Sequence, residues 1–305
     1  MPARPARFPR IALVGRYASL DTAQPLAQLA AFLEKRGHVV VLEDETARHA
    51  PLAGYATAPA DALDAHADLA IVLGGDGTML SIARRLAPFD LPLIGINQGR
   101  LGFLTDIPTA RMETVIAEML DGRYVEERRT MLDATVERNG GPPERALALN
   151  DVAVNRGSTG TMIDCAVEID DRHAYSLRAD GLIIATPTGC TAYALSAGGP
   201  ILDPRVPAFA LVPVAPHALT HRPIAVADTV TIRVRIVRGH DAAAHCDGQA
   251  RFPLAEGESV TVRRASYTAR LLHPEDHDHF AVLRAKLHWS ETPDRRTRPA
   301  SLGDG

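Results

Sequence analysis

Cysteine is scarce in this 305-residue chain: Cys165, Cys190 and Cys246 are the only three, and none lies in a Cys-x-x-Cys pair. An odd set cannot pair completely, so the chain reads as a cytoplasmic protein with reduced thiols, not as a disulfide scaffold. Long apolar runs are also lacking. Nothing approaches the roughly 20 consecutive apolar residues of a membrane span, and Ile11-Ala12-Leu13-Val14 is too short for the core of a signal peptide. Charge of one sign is not in excess. With a formal net charge of −4, no global field draws the molecule to nucleic acid or to an anionic membrane. Anionic ligands must therefore be met by local donors.

Several signatures are missing as well. There is no Gly-x-x-x-x-Gly-Lys-[Ser/Thr] loop, and no Gly-x-Gly-x-x-Gly follows an opening strand, so neither a P-loop nor a hydride-transferring dinucleotide site is supported. Ser196 is not in a Gly-x-Ser-x-Gly elbow. His273, His277 and His279, with Asp276 and Asp278, lack zinc spacing and a partnering cysteine pair. They read as a solvated helix entrance, and no metal-ligating residue is assigned. His240, His245 and Cys246 read as a strand-end turn, and His217 as a structural hydrogen-bonder. Residues 291–305 are polar with Pro and Gly and read as a disordered tail.

What is present is ordinary globular protein, 46% hydrophobic and 23% charged. Strand and helix alternate at first: strands at 11–14, 38–42, 69–73 and 93–96, helices at 23–36 and 112–120, with Gly37 and Gly122 as stops. Such alternation predicts a parallel sheet covered on both faces. Near Tyr124 the period changes to short Val-, Ile- and Thr-rich runs between turns, as in the alternating 229–237 segment. A helical pattern returns at 280–287. The expected fold is α/β plus all-β: a Rossmann-like parallel-sheet domain (1–123), then an antiparallel β-sandwich-like domain (124–274). A C-terminal segment (275–290) returns its helix to the first domain.

The segment Gly74-Gly75-Asp76-Gly77-Thr78 follows the apolar run at 69–73. Glycines there let amides approach a phosphate, and a helix starting near Met79 adds its dipole. A carboxylate among them repels phosphate. Asp76 therefore takes a proton, helps hold a metal beside a transferring phosphoryl group, or merely caps the helix. A second constellation runs from Asp180 to Tyr193: a buried strand, then Thr186-Pro187-Thr188-Gly189-Cys190-Thr191-Ala192-Tyr193. Its hydroxyls and free amides suit phosphate or ribose. Asn150-Asp151 is a third polar pair.

Taken together these pieces resemble the NAD kinases, which phosphorylate the adenosine 2′-hydroxyl of NAD. The resemblance rests on Gly74 to Thr78, Asn97-x-Gly99-x-Leu101-Gly102-Phe103-Leu104, Leu149-Asn150-Asp151, the Asp180 to Tyr193 segment, Gly198-Gly199-Pro200-Ile201, Pro213-x-x-Pro216-His217 and Asp247. It spans 11–289. The resemblance implies Asp76 as the catalytic base, with Gly74, Gly75, Gly77 and Thr78 shaping the phosphate loop. It puts Phe103 near the adenine, Asn150 and Asp151 at the adenosine ribose, and Asp180 near the nicotinamide. Thr191, Ala192, Tyr193 and Ser196 line the adenine side, and Asp247 joins the NAD site. Arg178, two residues before Asp180, implies ATP as donor in place of polyphosphate. Cys190 stands where relatives carry a hydroxyl; at a helix start its thiol is expected to have a lowered pKa and to react with alkylating agents.

Without a P-loop lysine, the phosphates need a divalent cation, taken as Mg²⁺, with NAD and ATP as substrates. The resemblance also implies a homodimer or homotetramer. A lipid kinase would share the Gly74 loop but leaves Thr186 to Tyr193 unexplained, and a non-catalytic NADP sensor would not need Asp76.

Overall fold

The computed structural model describes residues 8–15, 22–50, 52–99, 101–157 and 161–289; the tail expected at 291–305 lies outside them. The first unit runs β1 (Arg10–Gly15), α1 (Ala23–Lys35), β2 (Val39–Glu43), α2 (Asp44–His49), β3 (Ala56–Ala58), α3 (Leu63–His66), β4 (Leu69–Gly74), α4 (Asp76–Leu86), β5 (Leu93–Asn97), β6 (Ile107–Pro108) and α5 (Met112–Leu120). Parallel pairing gives the strand order β3-β2-β1-β4-β5. β4 is buried along its whole length, as its unbroken apolar run requires in a sheet covered on both faces. One face packs on α4 through Met79, Ile82, Ala83 and Leu86. The other packs on α1 and α5 through Leu26, Leu29, Leu33, Ile116 and Met119. Gly37 and Gly122, at φ +88 and +99, end α1 and α5 because only glycine enters the left-handed region without cost.

The second unit is antiparallel: β7 (Tyr124–Glu137), β8 (Glu144–Ala148), β9 (Asp151–Asn155), β10 (Ile163–Ile169), β11 (Arg172–Ala179), β12 (Gly181–Ala185), the short α6 (Tyr193–Ser196), β13 (Ala208–Val214), β14 (Ile224–Ala227), β15 (Ile232–Arg238), β16 (Ala242–Cys246), β17 (Ala250–Leu254) and β18 (Ser259–Pro274). One sheet is ordered β14-β13-β12-β9-β16-β17; the other contains β11, β10, β15, β18, β7 and β8. Their facing sides enclose one core, with Val152, Val154, Leu182, Ile184 and Phe209 meeting Leu132, Ile163, Val167, Val234 and Val262. The 229–237 alternation emerges as β15, with Ile232, Val234 and Ile236 inward. The fold class expected from sequence is the one observed.

The two units share strands. The first half of β18 pairs with β15, its second half meets β5 in parallel at Leu271, and β7 runs antiparallel to both halves, with a register break between Arg264 and Thr268. Leu271 enters the core under α4 and Leu272 the core under α1 and α5. The β7–β18 ribbon thus ties the sandwich to the parallel sheet. α7 (His279–Leu287) then returns to the first unit, where Lys286 Nζ donates to the Leu101 carbonyl at 2.9 Å.

Leu271→Ala should lower unfolding stability by about 2–5 kcal/mol, because a fully buried leucine leaves a cavity that close-packed neighbours cannot fill. Denaturant melts at constant m-value check this; a loss under about 1 kcal/mol would mean that the ribbon does not couple the units.

Candidate active site

The C-terminal end of β4 opens into α4 at Gly75. The helix begins at Asp76, three residues before the expected start near Met79. Gly75 is the N-cap and no side chain caps the helix, so Asp76 is not a capping residue. Its carboxylate turns sideways to the segment after β5: Oδ2 accepts from the Phe103 amide at 2.8 Å, and Oδ1 from the Leu104 amide at 3.0 Å and the Thr105 hydroxyl at 3.3 Å. A Cβ at Gly102 would collide with Asp76 Oδ1 and Thr105 Oγ1, which is why this segment needs glycine there. Beside the fixed carboxylate, Gly75 and Gly77 have open space where a Cβ would stand. Gly74 is different. It packs on the Thr78 side chain inside the turn.

Four contacts dock α4 on the sandwich, one at its first turn and three through Arg84 in its last. Gln249 Nε2 donates to the Gly77 carbonyl at 3.0 Å, Arg84 Nη1 to the Cys246 carbonyl at 3.4 Å, and Arg84 Nη2 to Gln249. Arg84 Nε lies 3.5 Å from Asp247 Oδ2. Asp247 and Gly248 sit at φ +52 and +64, and the Gln249 amide closes the turn onto the Cys246 carbonyl. This is the Asp-Gly hairpin turn that matches strand twist. It points the Asp247 carboxylate at the start of β9, where it accepts from the amides of Leu149, Asn150 and Asp151 at 2.9, 2.7 and 3.2 Å.

The Thr186 to Thr191 loop closes on the same place. The Thr186 hydroxyl donates to the Leu149 carbonyl at 2.6 Å, and a Cβ at Gly189 would strike the Asn150 carbonyl. A cavity of about 290 Å³ results, lined by Asn150, Asp151, Ala153, Asn155, Ala192, Tyr193, His245, Asp247 and Gly248. Tyr193 is 41% exposed at its mouth, a flat surface ready to stack.

Of the residues singled out in the sequence, Asn150, Asp151, Ala192, Tyr193 and Asp247 meet in this cavity, and Asp76 and Gly77 stand on the helix docked beside it. Phe103 lies next to Asp76 with Lys286 Nζ 5.2 Å from its ring centre. Arg178, Asp180, Thr191 and Ser196 do not line the cavity. Asp180 pairs with Arg156 at 2.6 Å, Arg178 faces Asp164 at 3.7 Å with its side chain 63% exposed, and the Thr191 hydroxyl donates back to Thr188. His217 contributes its backbone amide, donating to the Arg178 carbonyl.

Three expectations are corrected. His245 is not in a turn: it lies on β16 facing the cavity, and the period-2 position beside Ala244 and Cys246 was its only sequence signal. Cys190 is fully buried among Ala153, Ile183, Ala194 and Val212. Burial pushes its thiol up to about 11, opposite to the lowered, reactive thiol expected at a helix start. His273, expected at a solvated helix entrance, is 1% exposed. Sequence reasoning also missed Gln249 and Arg84, which act from outside any recognisable motif.

Burial, with the Asp247 charge adding to it, pushes Asp151 up to about 7. Burial raises Asp247 too, while its three amide donors and Arg84 pull the other way. The negative charge therefore rests on Asp247 and the shared proton on Asp151.

The turn at Gly75 and this cavity lie side by side where the two units meet. The chain matches the ATP-NAD kinase N-terminal domain over residues 11–124 and the ATP-NAD kinase C-terminal domain over 149–274. It is 51% identical to an NAD kinase of Aromatoleum aromaticum over 94% of this chain and 96% of that one. It is 50% identical to an NAD kinase of Burkholderia pseudomallei with the same coverage. In structure it resembles an NAD kinase from Archaeoglobus fulgidus in complex with ATP (TM-score 0.73, 28% identity, covering 90% of this chain and 99% of that one). It shares the fold of yeast NADH kinase complexed with NADH (TM-score 0.85, 23% identity, 93% and 88% covered). The chain belongs to the NAD kinase family.

Folding favours the protonated form of Asp151, because its pKa is raised from the ordinary value near 4. The associated stability is complete below about pH 4 and is lost as pH rises through about 7. Asp151→Asn should remove on the order of 2–4 kcal/mol of the fall in stability between pH 4 and 8. Denaturant melts of both proteins across that range check it; parallel curves would show that Asp151 titrates normally.

Proposed function

We propose that this NAD kinase family member transfers the γ-phosphoryl of ATP to the 2′-hydroxyl of the adenosine ribose of NAD, giving NADP and ADP, with Asp76 accepting the hydroxyl proton. The observation that carries this is the placement of the Asp76 carboxylate: fixed by two amides, beside open glycines, on a helix docked against the polar cavity. Phosphoryl transfer asks for positioning and charge neutralisation more than for covalent chemistry. Gly75 and Gly77, with Gly74 and Thr78 shaping the turn, leave room for phosphate oxygens to reach the amides at the start of α4. The open space and lone carboxylate at this turn fit a divalent cation brought with ATP, Mg²⁺ in this reading, which supplies the charge neutralisation.

In this reading Asn150 and Asp151 bind the ribose. A protonated Asp151 donates a hydrogen bond where a carboxylate could only accept. Tyr193, with Ala192, Thr191 and Ser196 around it, offers the adenine a stacking face, Phe103 packs near the adenine, and Asp247 fixes the backbone that presents Asn150 and Asp151. Asp180 bears on the nicotinamide end and Arg178 on the donor. Among the described residues no helix is long and apolar enough to cross a membrane. The reading is of a cytoplasmic homodimer or homotetramer acting on small molecules, with no nucleic-acid or membrane partner.

Purified protein given NAD, ATP and Mg²⁺ should form NADP. Asp76→Asn should lower kcat by roughly 10² to 10⁴ while leaving KM for NAD within a few-fold, the mark of an interaction made in the transition state. Near-normal kcat would leave Asp76 a structural residue of the turn.

Donor choice is tested separately. Wild type should use ATP well and polyphosphate poorly, and Arg178→Gly should narrow the gap, since an arginine fork suits one fixed phosphate geometry. Equal use of both donors by wild type would remove Arg178 from that role.

A further inference from the structure

On the far side of the segment that holds Asp76 lies a second polar cluster that this reaction does not use. Asp106 follows Thr105 directly. Its Oδ2 is 2.9 Å from His273 Nδ1 and 2.8 Å from His277 Nδ1, and the two rings stack with centres 4.1 Å apart. The three side chains are almost closed to solvent, with exposures of 8, 2 and 6% for Asp106, His273 and His277. One oxygen and two nitrogens from residues 106, 273 and 277 thus converge within 4.8 Å of one another. Asp106 Oδ1 and both Nε2 atoms are buried with no hydrogen-bond partner among the described residues. These unpartnered atoms are not the ones that converge; they lie on the outer side of the cluster, open to outer-shell partners such as Glu127.

We propose that Asp106, His273 and His277 form a binding site for one borderline divalent cation of the Zn²⁺ class, separate from the cation that accompanies ATP. Two imidazoles and a carboxylate are a ligand set for such ions, which leave a further position for water. Tetrahedral bonds of about 2.0–2.1 Å put ligand atoms about 3.3 Å apart. Opening the present 2.8–2.9 Å separations by about half an ångström would admit the ion.

The surroundings match. A metal-ligating imidazole donates its other N–H to a carboxylate, and His273 Nε2 lies 3.6 Å from Glu127 Oε2. Glu127 is in turn held by Arg129, whose Nη1 reaches the Thr188 hydroxyl at 3.4 Å. A cavity of about 350 Å³, whose largely apolar lining includes Asp106, His277, Asp276, Asp278 and Arg111, supplies an entry path and room for water.

Such an ion would pin the residue after the turn that fixes Asp76 and, through Glu127 and Arg129, the Thr188 loop of the second unit. Its role is to position; it does not touch the substrate site.

The test uses Co²⁺ as a coloured probe on chelator-treated, nucleotide-free protein. Wild type should bind one Co²⁺ with visible bands of low-coordinate N/O ligation, displaced by Zn²⁺, and Zn²⁺ should raise its Tm. His277→Phe keeps the stacked ring and removes the donor; it should lose the bands and weaken Zn²⁺ affinity at least about tenfold. His279→Phe, outside the ligand set, should retain both. Should His277→Phe melt like an unfolded chain, His277→Gln serves in its place. Unchanged bands in the His277 variant, thiolate charge-transfer bands from the cysteines, or no Co²⁺ binding by wild type would each overturn the site.

Discussion

The Asp247 carboxylate holds the functional half of this molecule together. Its side chain has no exposure to solvent, so its charge is stable only with partners. It has four: the amides of Leu149, Asn150 and Asp151, and the Arg84 guanidinium. Three partners belong to the sandwich and the fourth to α4. A buried charge that loses a partner costs about 3–5 kcal/mol, so the helix that carries Asp76 is held against the strand end that carries Asn150 and Asp151. Burial raises the pKa of the nearby Asp151, and the Asp247 charge adds to the rise. Fixing the geometry and shifting the proton are one electrostatic event.

Around that point the architecture restricts motion. The β7–β18 ribbon makes the two units share a continuous sheet, so a hinge between them would break ladder hydrogen bonds. Gly102 lets the segment after β5 press on Asp76, and Gly189 lets the Thr186 loop press on Asn150. Both close approaches use the missing Cβ to bring backbone donors and acceptors where side chains would not fit. α7 adds Lys286, one of only two lysines in the chain, over Phe103. The rigidity suits a reaction whose acceleration comes from placement.

The buried Asp106, His273 and His277 cluster sits behind this front. It contrasts with the Asp151 and Asp247 pair: there two carboxylates compete for one proton, here two imidazoles share one carboxylate oxygen. Each is a compact group of ionisable side chains removed from water and next to a segment that shapes the candidate active site. Burial makes both sensitive to what is bound beside them.

The local patterns were legible in the sequence. β4 as an unbroken apolar run, α5 at residues 112–120 with its glycine stop, and the inward Ile232, Val234 and Ile236 follow from the period of hydrophobic burial, which adjacent residues alone determine. The Gly74 to Thr78 and Thr186 to Tyr193 segments were legible for the same reason: short-range backbone chemistry writes itself into consecutive residues. Tertiary structure decided what depends on distant neighbours. Cys190 became an inert core thiol because β12 and β13 cover it, outweighing any helix-start effect. His273 left the solvated turn for the interior because Asp106, 167 residues away, was waiting there. Asp151 keeps its proton because folding buries it, with the charge of Asp247, 96 residues on, adding to that. Desolvation and charge pairing act through space at a few ångströms, and no spacing along the chain encodes them.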